Sequence, residues 1–101
     1  GGRIMEKITE AQVIRIDTKA TGARIRELRK KHNLRVEDIR AYINLSDTQA
    51  IYKWQRGATL PSIENLLALS RLFNTTIEDI IQELGEEDKS SPSVILWTYT
   101  A

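Results

Sequence analysis

"SDTQAIYKWQRG", residues 46–57, decides how the chain is read. Ser46 or Asp47 can cap a helix, because a short side-chain oxygen accepts one of the N–H groups that a helix start leaves unpaired. Gly57 can end it, since glycine enters the left-handed conformation without steric cost. The stretch therefore predicts a helix over 47–56. At about 100° per residue, Thr48, Gln49, Tyr52, Lys53 and Arg56 fall within about 140° of arc. Ala50, Ile51 and Trp54 fall on the opposite side. One face of this short helix anchors it; the other displays hydroxyl, amide, phenol and cationic groups together. On an isolated helix such a face reads as ordinary solvated surface, so its neighbours must decide.

Upstream, Thr21 can cap a helix through "GARIRELRKKH", with Ile25 and Leu28 inward and four Arg/Lys in its second half, where the helix dipole favours cations. Asn33 can stop it in the left-handed conformation. "RVEDIRAYI" puts Val36, Ile39 and Ile43 on one stripe, with Glu37 and Asp38 in the first turn, and "NLS" is a tight connection. Downstream, "ATLP" must leave helical space before Pro61. Ser62 then caps "IENLLALSRLF", whose Ile63, Leu66, Leu67, Leu69, Leu72 and Phe73 cover so much circumference that it is expected to be the most buried helix. Asn74 stops it. Thr76, with Asp79 three residues on, opens a fifth helix through Leu84, and Gly85 ends that one.

A helix, a short turn and a second helix with an exposed hydrogen-bonding face form a helix-turn-helix arrangement, whose second helix enters the DNA major groove. The side chains suit that role. Gln can pair bidentately with adenine, Lys and Arg reach guanine acceptors or phosphates, and Thr can bond a phosphate near the helix start. Residues 22–84 resemble the phage Cro/repressor-type, or XRE, helix-turn-helix family. The resemblance rests on "GARIRELRKKHNL", "VEDIRAYINLS", "TQAIYKWQRGATLPS" and "IENLLALSRLFNTTIEDII". It implies base contacts from Thr48, Gln49, Tyr52 and Lys53, a phosphate contact from Arg56, and positions near the DNA backbone for Arg35 and for Asp47 in the capping region. Two features depart from the family pattern: the turn "NLSD" is one residue longer, and Arg40 stands where a buried alanine is usual.

The ends carry other signals. "QVIRID", residues 12–17, alternates like a short strand. "EEDKSSPS" reads as a linker, and "VILWTYTA", residues 94–101, as an uncharged β-branched and aromatic strand. Trp97 and Tyr99 there are divided evenly between a role in association and simple packing against residues 12–16. The expected organisation is a 1–20 arm, a 21–85 DNA-binding domain and an 86–101 linker and strand. The fold class is all-α, five helices with short β arms at both termini. Pairing of the two arms, within or between chains, would satisfy both, and pairing between chains gives a homodimer with the two-fold symmetry that DNA sites mirror. Gly1–Arg3 reads as a remnant before Met5 and is set aside.

The 101 residues suggest one domain and carry a formal net charge of +1, unevenly spread. Residues 21–57 hold nine Lys/Arg and four Asp/Glu, a net of +5; residues 58–91 hold two and seven, a net of −5. There is no cysteine, which suits a reducing compartment and a cytoplasmic protein. No apolar run approaches a membrane span, and no secretory segment is visible. His32 is the only histidine, so a metal site lacks ligands, and no nucleophile–base pair, phosphate loop or dinucleotide pattern is present. The expectation is sequence-specific binding of double-stranded DNA by a transcriptional regulator, a repressor, with no enzyme activity and no cofactor. The competing reading is a protein-interaction module on the same fold, a toxin-binding antitoxin-like protein or an inhibitor.

Overall fold

The computed structural model describes residues 12–85. Five helices follow in order: α1 Thr18–Lys31, α2 Val36–Ile43, α3 Gln49–Gln55, α4 Ile63–Leu72 and α5 Ile77–Ile80. α1 lies against α3 and α5, α2 against α3 and α4, and α4 against α5. Ile25, Leu28, Val36, Ile39, Ile51, Trp54, Leu66, Leu69, Phe73 and Ile80 close one core inside the compact unit Ile16–Glu83. No helix among the described residues is long and apolar enough to cross a membrane.

Four helices end alike. Asn33, Asn44, Gly57 and Asn74 take positive φ of 55°, 65°, 76° and 52°. In each case the next N–H turns back to a carbonyl five residues earlier: Leu34 to Arg29, Leu45 to Arg40, Ala58 to Lys53 and Thr75 to Ser70. This closure satisfies carbonyls that a helix end otherwise leaves unpaired. Asparagine does here what glycine more often does, because its short polar side chain tolerates the left-handed region.

The starts differ from the sequence expectation in two places. Asp17, not Thr21, caps α1: its carboxylate accepts the Ala20 N–H at 2.9 Å. Thr21 is fully buried inside the helix, and its hydroxyl accepts the Gln82 N–H at 2.9 Å. The start of α3 falls at Gln49 rather than at 47, and Asp47 Oδ1 accepts the Gln49 N–H at 2.9 Å. The other caps are as read, with Ser62 accepting from Asn65 N–H at 3.2 Å and Thr76 from Asp79 N–H at 3.1 Å.

α5 stops at Ile80, well short of Leu84. Ile81 is extended, and the chain that follows is used to hold the start of α1. The Gln82 carbonyl accepts from Asp17 N–H at 2.8 Å, and Leu84 N–H donates to the Arg15 carbonyl at 2.9 Å. Ile16 and Glu83 thereby form a single antiparallel bridge. That bridge is all that remains of the strand expected over residues 12–17; the strand expected over 94–101 lies outside the described residues. α4 is also less enclosed than its composition suggested. Leu66 and Leu69 are buried, but Ile63 is 74% and Leu67 42% exposed.

Candidate nucleic-acid interface

The anchor side of α3 is fixed first. Ile51 is fully buried and Trp54 nearly so. From the other side α1 approaches so closely that a Cβ on Gly22 would stand 2.2 Å from the Trp54 carbonyl oxygen and 2.6 Å from that of Gln55. Gly57 meets Lys19 with similar intimacy, 2.7 Å from an added Cβ to the Lys19 Cα. Arg29 of α1 ties the contact down, donating from Nε to Gln55 Oε1 at 2.9 Å and from Nη1 to the Leu34 carbonyl at 2.9 Å. With its position and roll fixed this way, α3 presents Gln49, Tyr52, Lys53 and Arg56 to solvent, and Thr48 is half-buried at its start.

The turn before α3 has its own brace. Arg40 reaches forward, donating from Nη1 to the Leu45 carbonyl at 2.9 Å and from Nε to Glu37 at 2.7 Å. Its guanidinium ties the body of α2 to the first residues of the turn that leads to α3. Ala41 beside it is exposed.

The expected contact residues occupy different settings. Asp47 is exposed, with one oxygen engaged by its own helix. Arg35 stands apart, at the start of α2, its side chain 79% exposed and paired with Asp38 at 3.1 Å. The Arg35 guanidinium and N–H hold the Asp38 carboxyl below the usual carboxylate range. Two residues that sequence reasoning passed over join the surface. Arg26 and Arg29, read before only as cations suited to the end of a helix dipole, line one open groove with Tyr52, Gln55 and Arg56. Their spacing of one turn places them on neighbouring parts of α1, but only the α1–α3 contact shows which surface they share.

The family pattern described as "Helix-turn-helix" matches residues 25–80, more than half of the chain. The HTH-type transcriptional activator BcrR of Enterococcus faecalis is 34% identical over 64 residues, 63% of this chain and 30% of that protein. The HTH-type transcriptional regulator DdrOP3 of Deinococcus deserti is 34% identical over 59 residues, 58% of this chain and 45% of that protein. The chain thus spans less than half the length of these curated relatives. Among solved structures, the DNA-binding domain of the P22 C2 repressor superposes with a TM-score of 0.57 at 31% identity, covering 77% of this chain and 97% of that one. The restriction-modification controller protein C.AhdI of Aeromonas hydrophila gives 0.58 at 26% identity, covering 63% and 96%. The chain belongs to the helix-turn-helix family, in its Cro/repressor-type branch.

Proposed function

We propose that this chain binds double-stranded DNA at specific sequences as a cytoplasmic transcriptional regulator, a repressor, with α3 in the major groove. The observation that carries the reading is the division of α3: Ile51 and Trp54 are locked into the core while Gln49, Tyr52, Lys53 and Arg56 are exposed on the far side. In this reading Gln49, with Thr48, Tyr52 and Lys53, meets base edges, and Arg56 and Arg35 meet phosphates. Asp47 acts by setting the start of α3 close to the backbone. Likeness to a repressor's DNA-binding domain supports repression. One such helix reads only a few base pairs, so two copies are expected on a two-fold site, joined through the segment 94–101.

The test is binding of the full chain to its own gene's upstream region and to random duplex, across a salt series. Gln49→Ala should weaken specific binding by about 1–3 kcal/mol and leave random binding nearly unchanged. Arg56→Ala should weaken both and reduce the salt slope by about one. Equal losses on both DNAs for both variants would undo this division of labour. Binding to a protein but not to duplex DNA would instead make the fold an interaction module, and activation of a reporter by operator binding would reverse the sign of regulation.

A further inference from the structure

The groove between α1 and α3 is lined by Arg26, Arg29, Tyr52, Gln55 and Arg56, without a carboxylate. Three guanidiniums around one open groove repel each other, and a folded chain ordinarily offsets such charge with an acid. Among the described residues no acid lines this groove. Arg29 is held by the Gln55 amide oxygen and the Leu34 carbonyl, both neutral, and makes no ion pair among the described residues. Arg26 and Arg56 are exposed, and neither makes an ion pair among the described residues. Glu27, which lines the adjoining groove with Arg26 and Lys30, is engaged by Arg24, which also grips Asp79. The nearby acid is thus already engaged by Arg24.

We infer that this groove holds a backbone phosphate of the bound duplex, outside the bases that α3 reads, with Arg26 as a contact contributed by α1. The inference rests on the DNA-binding reading and extends it. The occupant must be anionic, compact and rich in acceptors. A phosphodiester meets all three demands, and planar guanidiniums match its oxygens in pairs. Tyr52, which in that reading meets a base edge, borders the groove on the α3 side. Because Tyr52 and Arg56 lie on the exposed face of α3 as well, the groove continues that face rather than forming a separate surface. Arg29, pinned on both sides, supplies fixed positive charge; Arg26 is free to close on the phosphate.

The experiment measures the full chain's affinity for random-sequence duplex DNA over a salt series, for wild type, Arg26→Gln and Lys31→Gln. Lys31 is the control: it lies on the same helix, but its charge acts on Asp79, on the side away from the groove. Arg26→Gln should flatten the dependence of log affinity on log salt by roughly 0.9, the value for one phosphate, and should weaken binding by about tenfold at low salt as one charge-assisted contact is lost. Lys31→Gln should leave the slope nearly unchanged. The melting temperature of Arg26→Gln should equal that of wild type, since Arg26 is exposed. Wild-type binding with the Arg26→Gln slope unchanged, or with both variants equally flattened, overturns the groove contact alone. A wild-type chain without salt-dependent duplex binding overturns the functional reading and the groove contact together. Inorganic phosphate that raises the melting temperature of wild type but not of Arg26→Gln, with the duplex slope unchanged, would make the groove a site for a free anion instead.

Discussion

Gly22 shows how one residue sets the posture of the reading helix. It lies in the second turn of α1, where alanine would be the better helix former by about 1 kcal/mol. Yet a methyl group there would meet the carbonyl oxygens of Trp54 and Gln55, backbone atoms that cannot swing aside. Overpacking of this kind costs about 1–3 kcal/mol, more than the gain in propensity. Gly22→Ala should therefore lower the melting temperature. It should also push α1 from α3, weaken the Arg29–Gln55 bond and reduce specific DNA binding more than random binding. Thermal melts with paired binding measurements check this, and a variant as stable as wild type would mean that α1 can shift at no cost. The sequence shows a glycine near a helix start, but what it must clear lies more than thirty residues away. Arg26 is obscure for the same reason: its charge is visible in the sequence, and the groove it lines exists only once α1 meets α3.

At the level of elements, apolar spacing and stop residues locate all five helices, because period and left-handed asparagines are local properties. What local signals misjudge is where α1 begins and α5 ends, and one tertiary connection decides both. Asp17 and Thr21 are both capable caps; Asp17 takes the role because Thr21 is needed by Gln82 N–H, and the same segment draws the chain out of α5. The join is reinforced by Arg24, whose guanidinium donates to both Asp79 carboxylate oxygens, at 2.9 and 2.7 Å, and to the Asp79 carbonyl at 3.2 Å. The Thr75 hydroxyl, and then Arg24, hold the Asp79 carboxyl below the usual carboxylate range. A folded-state value below the unfolded one means the contribution is complete above the unfolded value, about pH 4, and is lost as pH falls through the folded value. Asp79→Asn should lower the melting temperature at neutral pH and narrow the gap between its melts at about pH 7 and about pH 3. Asp38, also held low by Arg35, remains in both proteins, so the difference isolates Asp79. Equal acid losses in variant and wild type would show that the clasp between α1 and α5 adds nothing to acid stability.

For the whole molecule, the proposed function calls for two reading helices to be joined. A two-fold DNA site places half-sites about 34 Å apart, one helical turn, and a symmetric pair of chains matches that spacing only through a defined interface. The sequence allows residues 12–17 to pair with 94–101 either within one chain or between two. Part of the first segment is already used: Asp17 N–H and the Arg15 carbonyl bond to Gln82 and Leu84 of the same chain. Under the proposed function, association then rests more heavily on 94–101 itself, an uncharged run of β-branched and aromatic residues whose composition favours pairing with another strand. Sedimentation equilibrium should therefore give a dimer for the full chain at roughly tens of micromolar, the range of small interfaces, and a monomer for a chain ending at Ser91. The shortened chain should keep its melting temperature, because the core lies within Ile16–Glu83, and should lose affinity for a two-fold site while retaining weak binding to a half-site. A dimer that survives the truncation would move the interface onto the folded unit, where Leu60, Ile63 and Leu67 are the exposed apolar side chains around the start of α4. A monomer in both forms would leave DNA itself to bring the two copies together, and binding to a two-fold site would then rise with the square of protein concentration rather than linearly.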